Sequence, residues 1–285
     1  MNAPVVVGTD GSGSALDAVA LAVRFARSID TRLVVACVYP GAPADGRVPD
    51  QVSAALDAAR ELVGAFPADF RTVASSSAAR GLTELAENEG ASVLIAGSSE
   101  RGAFGRVLSG STAVRLLHGT AVPVAVAPRG YRRRGTKPFH ALGVAFVGSP
   151  EGHKALDVAA ELARRAGVPL TVYEVLAVEQ SWFTPQAAAG LQPGVPEEVR
   201  EEYERALEEA VAAVRDGIDV TGQLLVGNVV DELSAVDEDG IDLLVCGSRG
   251  YGPVRRVLLG SVSHALVHQA GVPVLVVPRG GEGRA

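Results

Sequence analysis

Two glycine-rich segments hold the residues best placed to do chemistry. One runs Gly247-Ser248-Arg249-Gly250, continues for nine residues, and reaches Gly260-Ser261. It follows the apolar run 243–246, which reads as a buried strand, and a helix is expected to begin near Ser261, whose hydroxyl can cap it. Glycines let a backbone turn sharply and come close to a ligand. Free N–H groups at a helix start, helped by the helix dipole, bind anions. The chemistry such a loop offers is the holding of a phosphate chain. In open α/β sheets ligands sit beyond the carboxyl ends of the strands, where this loop lies. The competing reading is a glycine-rich connector with no ligand.

Other phosphate signatures are missing. There is no G-x-x-x-x-G-K-[ST], which argues against a P-loop NTPase, and Asp10-Gly11-Ser12-Gly13 does not complete G-x-G-x-x-G, which argues against a dinucleotide fold. Catalytic constellations are also weak. His118 and His268 fall at equivalent helix ends, where the dipole favours a capping or packing histidine. His140, His153 and His264 show no paired nucleophile or acid. Asp237, Glu238, Asp239 and Asp242 precede a strand and read as a solvated turn rather than a Mg²⁺ site. The stretch 197–209 carries Glu and Arg at helical spacing, as an exposed helix with i, i+4 pairs does.

The elements that must position the glycine loop come in two copies. Gly97 recurs as Gly247, Gly102 as Gly252, Arg106-Val107-Leu108 as Arg256-Val257-Leu258 and Gly110-Ser111 as Gly260-Ser261. His118 recurs as His268, Val122-Pro123-Val124 as Val272-Pro273-Val274 and Pro128-Arg129-Gly130 as Pro278-Arg279-Gly280, all 150 residues apart without a gap. Further upstream, with a small insertion, Gly11-Ser12 matches Gly148-Ser149 and Ala15-Leu16-Asp17 matches Ala155-Leu156-Asp157. Each copy is as long as a whole domain. We expect domains at residues 1–130 and 141–285, joined by a linker at 131–140 that contains Gly135 and Pro138. Each half alternates strand and helix, and runs such as Ser92-Val93-Leu94-Ile95-Ala96 suit a parallel sheet covered on both faces. Right-handed crossovers then give a doubly wound α/β sheet in each half. The stretch 178–196, with Trp182, Phe183 and three prolines, has no counterpart in the first half and reads as an exposed loop.

Composition agrees with this and narrows the partners. The 285 residues are 47% hydrophobic and 21% charged, as in ordinary globular proteins, and the length fits two domains. The formal net charge of −7 offers no electrostatic grip on nucleic acid. The run Arg132-Arg133-Arg134 is short and reads as a solvated connector. Cys37 and Cys246 sit in apolar runs, where a reduced cytosolic chain carries them as small hydrophobes. No leader-like segment and no apolar run of about 18 residues is expected, which points to the cytoplasm with no membrane partner.

Together the motifs resemble the universal stress protein family. Its pattern is a strand leading into an Asp-Gly-Ser turn, then G-2x-G-9x-G-[ST] after the fourth strand. Val5-Val6-Val7-Gly8-Thr9-Asp10-Gly11-Ser12 matches the first element, and Gly247, Gly250, Gly260 and Ser261 match the second in full. The resemblance covers nearly the whole chain, once per half. It implies a flavodoxin-like or Rossmann-like fold with a five-stranded parallel sheet in each half. It implies ATP binding, with or without Mg²⁺, a homo-oligomer, and pairing of domains through the last strand of each half, near 124–127 and 274–277. Carried over as binding residues are Thr9, Asp10, Val38, Gly97, Gly110 and Ser111 in the first half, and Val175, Gly247, Gly250, Gly260 and Ser261 in the second.

Each half departs from the pattern once. Glu100 replaces the second glycine of the first half; a non-glycine residue in a left-handed turn costs about 1–2 kcal/mol, and a carboxylate near a triphosphate adds repulsion on the order of a few kcal/mol. In the second half Val147 stands where Asp10 stands, and Phe146 stands opposite Thr9. The first half keeps the base end of the site and the second keeps the phosphate end. The remaining glycines persist in both, which favours binding in both. Three functions compete: a nucleotide-dependent regulator with little or no turnover, a slow ATPase or nucleotidyl transferase using Arg249 and Arg255 on the phosphates, and a scaffold with decayed sites.

Overall fold

Alternating runs of β-branched and small apolar residues fold here as strands buried on both faces. In the computed structural model, which describes residues 3–41, 48–98, 112–177, 196–237, 239–248 and 260–279, the first half contains β1 (Val5–Gly8), α1 (Gly13–Ser28), β2 (Leu33–Tyr39), α2 (Asp50–Val63), β3 (Ala68–Ala74), α3 (Ala78–Asn88), β4 (Val93–Gly97), α4 (Thr112–Gly119) and β5 (Val124–Ala127). The second half repeats the order as β6 (Leu142–Phe146), α5 (Pro150–Ala166), β7 (Leu170–Ala177), α6 (Glu197–Val214), β8 (Val220–Gly227), α7 (Val229–Ala235), β9 (Leu243–Gly247), α8 (Ser261–Gln269) and β10 (Val274–Val277).

The described strands form one sheet in the order β3-β2-β1-β4-β5-β10-β9-β6-β7-β8. Within each half the five strands are parallel. The halves join through β5 and β10, which run antiparallel with Ala125 opposite Leu275. The last-strand pairing implied by the sequence resemblance is therefore made inside a single chain. Helices cover both faces. Val5 and Val7 point into a core shared with α1, α2, α5 and α6. Val6 points the other way, into a core shared with α3, α4, α7 and α8. Alternate residues of a strand face opposite sides, so a sheet clothed on both faces needs apolar residues at every position. The two edge strands, β3 and β8, have one uncovered flank and are correspondingly more exposed.

The stretch between the halves is anchored rather than loose. Tyr131–Arg134 is a short 3-10 helix, and Tyr131 and Phe139 are buried over α1. The Phe139 ring meets that of Phe25 edge-on at 5.5 Å. The run of arginines keeps its side chains exposed, yet Arg132 donates to the carbonyl of Gly13 at 2.7 Å and Arg134 to that of Gly271 at 3.0 Å. This extra cover explains why α1 is buried all round from Ala18 to Val23.

Candidate functional site

In each half the strand order reverses between the first strand and the fourth, β1 and β4 or β6 and β9. A doubly wound sheet opens a crevice at that point, beyond the carboxyl ends of the strands. Both crevices are present.

The first, about 230 Å³, is lined by Thr9, Asp10, Val38 and Gly97 together with Ser12 and Ser14. Its floor follows from local rules. Thr9 extends the β1 ladder by donating its N–H to the carbonyl of Ala36 at 2.8 Å. Asp10 turns the chain by accepting the N–H of Ser12 at 2.9 Å, and Thr9 Oγ1 accepts that of Gly11 at 3.2 Å. Gly11 sits at φ +78°, where a side chain is strained, and a Cβ there would press on the Ala55 backbone at 3.2 Å. Ser12 then caps α1 by accepting from the N–H of Ala15 at 3.3 Å. Gly97 has a packing reason to be glycine: a Cβ would stand 2.0 Å from the carbonyl oxygen of Ser14. That closeness brings the first turn of α1 against the end of β4. Gly110, Ser111 and Glu100 lie outside the described residues.

The second crevice, about 840 Å³, is lined by Val175, Gly247, Gly260 and Ser261, with Phe146 and Glu174. Ser149 caps α5 as Ser12 caps α1. Gly247 leaves room for the Glu151 carbonyl, which a Cβ would approach to 2.9 Å. At the start of α8 the expectation needs a correction: Gly260 is the cap residue and Ser261 the first residue inside the helix, so the Ser261 hydroxyl makes no cap. Gly260 instead donates its N–H to the carbonyl of Ser248 at 2.5 Å, and Ser263 Oγ braces the carbonyls of Ser248 and Gly260 at 3.2 Å each. Among the described residues no side chain caps α8, and uncapped amides at a helix start are the kind that bind anions. Val147 does hold the place of Asp10 on this wall, and the Phe146 ring meets His153 edge-on at 5.2 Å. Gly250, Arg249 and Arg255 lie outside the described residues, as does the stretch 178–195.

Glu174 belongs to neither sequence motif. It is only 5% exposed, its Oε2 is buried with no hydrogen-bond partner among the described residues, and it lines the second crevice. Burial raises its pKa to about 7. Cys37, fifth in β2 as Glu174 is fifth in β7, is its counterpart; burial, then the charge of Asp10, pushes its thiol up. Cys246, also on the second crevice, is pushed up to about 12 by burial. The sequence signal for Glu174 was a lone acid inside the apolar run Leu170-Thr171-Val172-Tyr173-Glu174-Val175-Leu176.

Asp242 is buried rather than part of the solvated turn expected of it. It is ion-paired with Arg24 of α1 and accepts the backbone N–H of His140 at 2.5 Å. His140 is thus paired with an acid after all, through Nδ1 at 2.6 Å. The reason is topological: Asp242 enters β9 beside the inter-half stretch and under α1. Glu238 lies outside the described residues. Among the described residues no group of three or more His, Cys, Asp or Glu is placed to hold a metal ion, and no described helix is long and apolar enough to cross a membrane.

Fold and crevices together define a tandem, doubly wound α/β protein with a ligand-sized cleft at the switch point of its second half and a smaller one in its first. The chain belongs to the universal stress protein family, whose model matches residues 1–128 and again 138–278. A universal stress protein of Mycobacterium tuberculosis is 32% identical over 293 residues, spanning 96% of this chain and 99% of its own length. The universal stress protein YxiE of Bacillus subtilis is 32% identical over 149 residues, 49% of this chain and 99% of its own length, as expected if it matches one half. Among solved structures, a universal stress protein from Archaeoglobus fulgidus superposes with a TM-score of 0.65 at 22% identity, covering 97% of this chain and 98% of that one.

Proposed function

We propose that this chain is a cytoplasmic adenine-nucleotide-binding regulator of the stress response, with little or no turnover, built from domains at residues 1–130 and 141–285 joined by the linker 131–140. The observation that carries the reading is the second crevice. Its volume, about 840 Å³, falls within the roughly 300–1,000 Å³ of small-molecule sites. Its lining includes the start of α8 at Gly260 and Ser261, where no described side chain caps the helix, and Glu174, whose buried Oε2 has no partner among the described residues, next to Phe146. That pairing fits a ligand with phosphate at one end and a polar ring at the other. Val175, Gly247, Gly260 and Ser261, with Gly250, would hold ATP here; Thr9, Asp10, Val38 and Gly97, with Gly110 and Ser111, would hold it in the first half. A bound triphosphate supplies charge that the helix-start amides can sense. Binding in the first half is the weaker, because its crevice of about 230 Å³ is below the usual range.

Nucleotide extracted from the purified full chain, with phosphate release followed after ATP is added, tests this. The expected result is retained adenine nucleotide and no sustained phosphate release. Steady turnover would instead favour the slow ATPase, and an absence of both retained nucleotide and binding at millimolar ATP would leave a scaffold with decayed sites.

A further inference from the structure

The orphaned carboxyl of the second crevice has no work in the fold. Among the described residues Glu174 makes no ion pair and its buried Oε2 has no hydrogen-bond partner, and burying such an oxygen unpaired is costly. Its neighbours across the ladders are Phe146 on β6 and Leu224 on β8, neither of which can bond to it. The titratable groups around it are His153 on α5, packed against Phe146; Glu202 and Tyr203 on α6; and Cys246 on β9. The flank of α7 lines the crevice with Val229 and Leu233 and also carries Asp231 and Glu232. Burial is the cause of the raised Glu174 pKa.

Resting on the nucleotide reading above, we infer that Glu174 is the base-reading group of the second crevice, its carboxyl meeting the edge of an adenine ring that carries the amino group and the adjacent ring nitrogen. Phosphates belong at the start of α8, so the base falls at the far end, between Phe146 and α6. A protonated carboxyl presents one donor and one acceptor side by side. Adenine presents the complement: its ring nitrogen accepts the O–H and its amino group donates to the C=O. An ionised carboxylate has no donor and would face the lone pair of that ring nitrogen. Guanine, with two neighbouring N–H donors, suits the ionised form instead. With its pKa near 7, Glu174 is largely protonated at pH 6 and largely ionised at pH 8. The carboxyl thereby takes over, from the neighbouring strand, the polar anchoring that Val147 removed from the position of Asp10.

The test is calorimetric titration of ATP and of GTP into nucleotide-stripped full-length protein at pH 6 and pH 8. The binding abolished by Gly260→Glu is assigned to the second crevice. The wild type is expected to bind ATP there about tenfold more weakly at pH 8 than at pH 6, the change in the protonated fraction of a group titrating near 7. Glu174→Gln keeps a donor and an acceptor and should bind ATP at both pH values, retaining only such pH dependence as the phosphates contribute. Glu174→Leu should lose at least tenfold at pH 6. Second-crevice ATP binding that is equally strong in Glu174→Leu, that shows the same pH dependence in the wild type and Glu174→Gln, or that gives way to a preference for GTP at pH 6 overturns the assignment of Glu174 while leaving nucleotide binding intact. No second-crevice binding of ATP at either pH overturns both.

Discussion

The two halves agree where the chain is threaded and differ where a ligand would sit. Strand order, helix order and the serine cap of the first helix are the same in both. At the strand ends, Thr9 faces Phe146 in the comparison, Asp10 faces Val147 and Cys37 faces Glu174. The acid of the first crevice is exposed on a turn and already bonded to Ser12. The acid of the second is buried on a strand with an unbonded oxygen. Duplication has thus left one crevice small and polar and the other roomier and more apolar, with its acid moved to a neighbouring strand. Packing fixes the scaffold, since every β and α element must bury a face. The strand ends are held by fewer constraints and can diverge.

The contrast can be broken most severely at the entry to the fourth strand. Ser92 and Asp242 stand just before β4 and β9. Ser92 ties down the incoming chain through neutral hydrogen bonds to Ala3 and Pro4, whereas Asp242 clasps Arg24 across the halves. Asp242→Ala leaves the Arg24 charge stranded and should cost about 3–5 kcal/mol. Ser92→Ala should cost about 1 kcal/mol. Urea unfolding measures both, and equal losses would deny that the clasp is special to the second half.

Next come the glycines that end β4 and β9. Gly97→Ala drives a methyl into the Ser14 carbonyl, and Gly247→Ala meets Glu151 less closely. The expected costs are about 3 and about 1 kcal/mol, the span of overpacking, read from the same unfolding curves.

The third contrast is one of pH. The folded chain holds a proton on Glu174 up to about pH 7, while an unfolded glutamate loses it near 4.5. The folded state therefore binds more protons between those values, and the Glu174 contribution to stability falls as pH rises through about 4.5 to 7 and stays low above. The full loss is on the order of 3 kcal/mol. It is measured as the difference in unfolding free energy between wild type and Glu174→Gln from pH 5 to pH 8. A flat difference would contradict the raised pKa.

The smallest expected effect should be the same in both halves. Ser12→Ala and Ser149→Ala remove equivalent caps and should each cost about 1 kcal/mol.

Most of the fold was legible in the sequence, because the repeat aligned the halves and unbroken apolar runs such as 93–96 and 243–246 admit only a doubly covered sheet. The placement of Thr9, Asp10, Val38 and Gly97 around one crevice, and of Val175, Gly247, Gly260 and Ser261 around the other, was also legible, since turn and cap chemistry is local. What escaped depends on contacts distant in sequence. Asp242 looked solvated because it closes the acidic run Asp237, Glu238 and Asp239 before a strand; its partner Arg24 lies on the far half. The cap of α8 shifted to Gly260 because the extended backbone there suits the cap position, and a nearby serine is only a candidate for the role. Glu174 was hidden by motif reading because the pattern places the acid on the first strand, whereas in the second half it stands on the next.

The central claim is that the crevice of the second half, bounded by the start of α8, holds an adenine nucleotide. Its most direct test is calorimetric titration of ATP into the nucleotide-stripped full-length chain, wild type beside Gly260→Glu. The account predicts saturable binding in the wild type and loss of the stronger component when a carboxylate is placed at the helix start. No binding heat at millimolar ATP, or an isotherm unchanged by Gly260→Glu, would contradict it.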